Sequence, residues 1–205
     1  MTTLAISASR RTVSVALELD GEIRTAPSDV LGASLHEQVA AMFETTRICS
    51  SDIDRVVVDR GPGSYTGLRI AVTFARFLSR YDDVTLLATT SFEAIAATSR
   101  PASTIRVGLD ARRGRVHTTR VAAADRIELL EAPRAIPVDE FIALLGVDEP
   151  VIVESSLREH VVSARATMSP FPEYDATTLL SPRIAPTAIT RAELEPLYLM
   201  GSYAD

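Results

Sequence analysis

Three valines stand in a row at Val56, Val57 and Val58, and a seven-residue run with three glycines follows closely, from Gly61 to Gly67. A helical pattern then covers Leu68–Arg80. A short β-branched apolar run reads as a buried strand, and a 3.6-residue period reads as a helix. Strand, glycine loop and helix in that order restrict the chain to an α/β architecture. The neighbouring segments agree. Leu4–Ser9 is β-prone, and Val13–Leu19 alternates apolar and polar residues before an Asp20-Gly21 turn, with Ile23 and Thr25 beyond it. Leu35, Val39, Met42 and Phe43 space out an amphipathic helix. Thr85–Ala88 is a further strand, and Thr90 with Glu93 forms a capping box that opens a helix through Thr98. The first half is an α/β unit with a mixed sheet.

Pro101 marks a division, giving one lobe over residues 1–100 and a second over 101–205. The second also starts with a hairpin, Ile105–Asp110 and Arg115–Val121 around Ala111-Arg112-Arg113-Gly114. Val138–Leu145 reads as a helix stopped by Gly146, and Val151–Val153 as a strand. Five of the eleven prolines (170, 172, 182, 186 and 196) fall in the last 36 residues, which excludes long regular elements there. The second lobe is a reduced version of the first.

The 21 basic residues are all arginine. Without lysine there is no Walker lysine, no Schiff-base lysine and no Ser–Lys dyad. A net charge of −6 opposes a strong nucleic-acid footprint. One cysteine, Cys49, supports neither an internal disulfide nor a cysteine-based zinc site. No apolar run is long enough for a membrane helix, and residues 1–30 lack a secretory pattern. A cytoplasmic location with no membrane partner is expected.

The glycine loop, Gly61-Pro62-Gly63-Ser64-Tyr65-Thr66-Gly67, could offer backbone N–H groups to an anion. Its spacing fails the Rossmann, Walker and nucleophile-elbow patterns, and Pro62 removes one donor. On the following helix Leu68, Ala71, Val72 and Ala75 form one apolar stripe. Ile70, Phe74 and Phe77 form a second, with Arg69, Arg76 and Arg80 in a polar band. A helix in a two-layer domain needs one apolar face. The second is covered by the rest of the chain or offered to a partner.

Catalytic candidates do not assemble. His36-Glu37 begins an HExxH pattern that Ala40 ends. His117 and His160 stand far from it in sequence, and Asp52, Asp54 and Asp82-Asp83 read as solvated carboxylates. The arginines at 112, 113 and 115 suit turn chemistry or contact with an anion or RNA phosphate.

The run from Gly61 to Ile70 closely resembles the GPGS(F/Y)TGLR signature of the bacterial TsaB (YeaZ) family of threonylcarbamoyladenosine biosynthesis proteins. Ser14–Leu17 resembles its second strand, His36-Glu37 the start of its first helix, Asp110–Gly114 its DAR(R)G hairpin, and Pro196–Leu199 its closing P-x-Y-L. The resemblance implies a two-lobed fold related to the actin and sugar-kinase ATPases. It implies a noncatalytic scaffold that binds and activates a TsaD-like transferase, joined by a TsaE-like ATPase, with tRNA met through the complex. No catalytic residue, metal or cofactor is expected in this chain, and ATP and a metal ion are expected in the partner subunits. The expected partner surface is Gly61, Pro62, Gly63, Ser64, Tyr65, Thr66, Gly67, Arg69, Ile70, Phe74, Phe77 and His36. A charge at Phe74 is expected to break pairing while leaving the chain folded.

One departure stands out: Ile6-Ser7-Ala8-Ser9 replaces a first-strand Asp-Thr-Ser stretch, removing the carboxylate that would handle a nucleotide-bound metal. A small ATPase, kinase or protease-like enzyme of the same fold is the competing reading. Homodimer formation by the lone chain is left open.

Overall fold

A computed structural model describes residues 1–27, 30, 32–81, 83–100, 102–146, 149–162 and 166–200. Asp82 and Pro101, both singled out in the sequence, lie outside the described residues. The chain divides into two units, Met1–Ala94 with Tyr174–Leu197, and Ile95–Glu173 with Tyr198–Asp205.

In the first unit β1 (Thr3–Ser7) is buried along its whole length. It pairs antiparallel with β2 (Ser14–Leu19), which pairs with the exposed edge strand β3 (Glu22–Thr25). After α1 (Leu35–Thr46), β4 (Arg55–Asp59) joins the other side of β1 in parallel, with Ile6 beside Val58. Next come α2 (Tyr65–Tyr81), β5 (Thr85–Thr89) parallel to β4, and α3 (Ser91–Thr98), whose residues from Ile95 on belong to the second unit. A two-residue strand, Thr187–Ala188, completes the sheet beyond β5. This is the mixed sheet expected from the sequence.

The two-residue period of a strand sorts side chains to opposite faces. Leu4, Ile6, Val56 and Val58 point into the main core with Ala71, Val72 and Ala75 of α2 and Leu35, Val39 and Met42 of α1. The opposite face carries the smaller Ala5, Ala16 and Val57. These let the 3-10 turn at Ala176–Leu180 pack close, burying Ala176 and Leu179. That packing brings residues 174–197 into the first unit, whereas the sequence division placed everything after residue 100 in the second. Proline-rich segments carry no periodicity that would have shown the return.

The second unit holds β6 (Ala102–Asp110) and β7 (Arg115–Ala123) as an antiparallel hairpin, extended by β8 (Ile127–Leu129) and β9 (Arg134–Pro137) on β7. After α4 (Val138–Ala143), β10 (Pro150–Val153) runs parallel to β6. α5 (Arg158–Val162) follows, and β11 (Thr167–Ser169) forms the edge. Phe141 of α4 packs with Val116, Val151 and Val153. Gly108 makes that fit, since a Cβ there would stand 2.7 Å from the Phe141 ring. The buried Arg106 bridges Glu131 at 3.0 Å and Glu149 at 3.4 Å, and Glu149 also holds Arg120 at 2.6 Å.

Candidate functional site

The glycine loop is fixed from two sides. Ser64 N–H donates to the Ser9 carbonyl at 2.7 Å. A Cβ on Gly63 would overlap the Ser9 carbonyl, and one on Gly67 would overlap that of Ala8. Glycine is required at 63 and 67 because two backbones touch there, and at Gly61 because φ is +106°. The Gly61-Pro62 peptide is cis, and both residues are buried. Ser64 then caps α2, its hydroxyl accepting from Gly67 N–H at 3.2 Å and its carbonyl from Leu68 N–H at 2.9 Å. The helix therefore starts at Tyr65, three residues before the sequence pattern placed it. Tyr65, Thr66 and Gly67 belong to its first turn.

Beneath the loop lies Asp59, the last residue of β4, which is fully buried. Its carboxylate accepts from the hydroxyls of Ser9 at 2.5 Å, Ser91 at 2.9 Å and Ser7 at 3.3 Å, and from Gly61 N–H at 2.9 Å. Tyr174 OH stands 2.8 Å from Ser9 Oγ and 3.4 Å from the carboxylate. Burial pushes the Asp59 carboxyl above the ordinary carboxylate range, against the pull of these hydrogen bonds. Burial, and then the nearby Asp59, also push the Tyr174 phenol upward. Ser7 ends β1 and Asp59 ends the neighbouring β4, so the carboxylate comes from the strand beside the serine. Sequence reading missed this residue; the available signal was a lone acid ending an all-valine strand, with serines at the ends of adjoining segments.

α2 presents the other half of the site. Leu68, Ala71, Val72, Ala75 and Leu78 are buried, while Tyr65 is 47% exposed, Ile70 46% and Phe77 57%. Arg69 donates to Tyr65 OH at 3.0 Å and lies over its ring. Phe74 departs from the sequence expectation: it is half-buried and packs against the first unit's own core. At about 100° per residue it sits roughly 40° from Ile70 toward the buried arc. The exposed apolar patch is Ile70 and Phe77, with Tyr65 across the arginine band. Beside Phe77 runs a groove of about 670 Å³ lined by Arg76, Arg80 and Thr190–Ala192. Arg76 donates to the carbonyls of Arg191 at 2.7 Å and Ala192 at 3.0 Å, tying the returning segment to α2.

A model of the family described as TsaD: tRNA N6-adenosine threonylcarbamoyltransferase matches residues 32–160, more than half of the chain, spanning the loop, α2 and the arginine hairpin. The chain belongs to this family. A curated relative, the "tRNA threonylcarbamoyladenosine biosynthesis protein TsaB" of Bacillus subtilis (strain 168), is 34% identical over 123 residues. That match covers 58% of this chain and 54% of the relative, so the chain spans about half the length of the curated relative it matches. YeaZ from Pseudomonas aeruginosa has the same fold, with a TM-score of 0.76, 19% identity, and coverage of 97% of this chain and 99% of that one. A Pseudomonas aeruginosa protein described as uncharacterized, with similarity to peptidase YEAZ, gives a TM-score of 0.77 at 20% identity, with 97% and 99% covered. The resemblance to TsaB (YeaZ) and the two-unit α/β reading both stand.

The remaining candidates of this TsaD-family chain scatter. His36 is exposed at the start of α1, its Nδ1 2.9 Å from Ser34 Oγ. Its neighbour Glu37 closes a capping box, accepting from the Ser34 hydroxyl at 2.5 Å and from Ser34 N–H at 2.8 Å, which together hold its carboxyl below the usual range. In the second unit Arg112 pairs with Asp110 at 3.2 Å and Arg115 donates to the Ala135 carbonyl at 2.7 Å. Burial, and then Arg115, lower the His117 pKa to about 4, and its buried Nδ1 meets no partner among the described residues. Among the described residues no group of three or more His, Cys, Asp or Glu could hold a metal, and no helix is long and apolar enough to cross a membrane.

Proposed function

We propose that this chain is a noncatalytic scaffold subunit in the formation of threonylcarbamoyladenosine on tRNA, binding and activating a TsaD-like transferase. The observation that carries the reading is the exposed pair Ile70 and Phe77, on a helix whose opposite face is already buried in its own unit. Exposed aliphatic and aromatic side chains rimmed by arginines suit a protein partner. The loop from Gly61 to Gly67 sets the start of that helix. ATP and a metal ion belong to the partner subunits, a TsaE-like ATPase joins them, and tRNA is reached through the complex, since a net charge of −6 disfavours direct phosphate binding.

The test is size-exclusion co-elution with the TsaD-like protein of the same organism. A glutamate at Phe77 would be desolvated in the interface, so Phe77→Glu should weaken pairing by about 100-fold or more, with the melting temperature nearly unchanged. A folded Phe77→Glu chain that pairs normally would sink the claim for this surface. Phe74→Glu is the wrong probe, because its half-buried ring supports the chain's own core.

A further inference from the structure

Asp59 gathers donors from separate parts of the first unit. They come from Ser7 at the end of β1, Ser9 just after it, Gly61 in the loop, Ser91 at the start of α3, and Tyr174 where the chain re-enters the unit. Ser9 Oγ gives its proton to the carboxylate, so it is free to accept from Tyr174 OH at 2.8 Å. The same Ser9 holds the loop through its backbone, where its carbonyl takes the Ser64 N–H. Ser64 in turn caps α2 and delivers Tyr65 to the surface. One acceptor thus sets Ser9, Ser9 sets Ser64, and Ser64 sets the helix start. A carboxylate suits the position because the Gly61 N–H can only donate, while three serine hydroxyls aim at the same point and the single Tyr174 proton lies between Ser9 Oγ and the carboxylate.

We infer that Asp59 is the positioning residue of the glycine loop and the first turn of α2. The strand register says more. Ile6 lies beside Val58 in a parallel pair, so Ser7 and Asp59 are neighbours on adjacent strands, with side chains toward the same cluster. Either strand can therefore supply the acceptor. With Ser7→Asp and Asp59→Ser exchanged together, the new hydroxyl at 59 still accepts from Gly61 N–H, and the carboxylate sits one strand away. The consequence for pairing rests on the scaffold reading above; the effect on loop order does not.

The experiment is amide hydrogen exchange on the isolated chain, for wild type, Asp59→Ser and the exchanged double variant, with co-elution with the TsaD-like partner as a separate readout. Asp59→Ser should speed exchange at Ser64 and at Gly67–Leu68 by about 10-fold or more relative to the middle of α1, and the double variant should recover most of that protection. Uniform acceleration across the unit, or a double variant no better than Asp59→Ser, would overturn the inference. If Asp59→Ser does not fold, folding of the double variant decides the same question: a folded one supports it, an unfolded one defeats it. Wild-type chain that fails to pair would sink the scaffold reading while leaving the exchange result intact.

Discussion

After β4 the chain turns through Gly61–Gly67 over a buried carboxylate, Asp59, held by hydroxyls and one backbone N–H. After β6 it turns through Ala111–Gly114, and there the acids meet cations and surface groups. Asp110 accepts from Arg112 and Ser156, and Arg106 bridges Glu131 and Glu149 further down the sheet. The first turn is tight because backbones touch. The second is open, and two arginines adopt left-handed conformations with φ of 66° and 51°. The first unit thus holds its loop by steric fit around a buried acid, and the second ties its turn to a partly exposed carboxylate, Asp110, which a backbone N–H and an arginine both meet.

Glycine substitutions separate the two most sharply. A methyl group at Gly67 would overlap the Ala8 carbonyl, which no rotamer can relieve, so Gly67→Ala should cost about 3 kcal/mol or more. Gly114 also has φ of +70°, yet nothing lies within 4 Å of its missing Cβ. Gly114→Ala should therefore cost only about 1 kcal/mol, the backbone penalty alone. Urea denaturation of both variants checks this; equal costs would erase the distinction.

Acid response comes next in size and should have opposite signs in the two units. His117 has a folded pKa of about 4 against 6.5, so the unfolded chain takes up that proton first as pH falls. The second unit's stability should be complete above about pH 6.5 and decline toward pH 4, by roughly 1–2 kcal/mol after allowance for partial exposure. Asp59 runs the other way. Its folded carboxyl lies above the unfolded value, so its contribution is greatest in acid and falls as pH rises through the folded value. Urea midpoints of wild type, His117→Leu and Asp59→Asn at several pH values read both slopes. His117→Leu should flatten the acid loss, and Asp59→Asn should remove the opposing trend. Slopes of the same sign would break the contrast.

The sequence shows these two regions unequally. Long periodic elements were legible: α1, α3 with its Thr90–Glu93 capping box, and the β6–β7 hairpin lie where spacing places them. The short β8, β9 and β11 and the strand Thr187–Ala188 were not, because two to four residues carry too little pattern against turn-rich surroundings. Phe74 is half-buried against the core, which the stripe drawn through Ile70 and Phe77 does not show, although its angle already turns that way. Asp59 was invisible as a site residue because its meaning comes from Ser9, Ser91 and Tyr174, which only the fold assembles around it. The glycine motif was readable, and the reason for its glycines was not, since Ala8 and Ser9 touch them from more than fifty residues away.

The smallest effect belongs to the arginine turn and sharpens the comparison from the second unit's side. Arg112 is 78% exposed and makes one ion pair, a contact worth between zero and about 1 kcal/mol at the surface. It also holds φ of 66°, which costs a side-chain-bearing residue about 1 kcal/mol and costs glycine little. Arg112→Gly removes both terms together, although glycine's extra freedom in the unfolded chain takes back part of the gain. Its backbone N–H can still donate to the Asp110 carboxylate, now at 2.7 Å, so the turn keeps its main tie. The net change should stay within about 0.5 kcal/mol of zero by urea denaturation. A cost above about 1 kcal/mol would mean that the guanidinium, rather than the backbone, closes this turn, and a clear gain would mean that strain outweighs the pair. Either result would set the strength of the charged turn against the steric loop in the other unit.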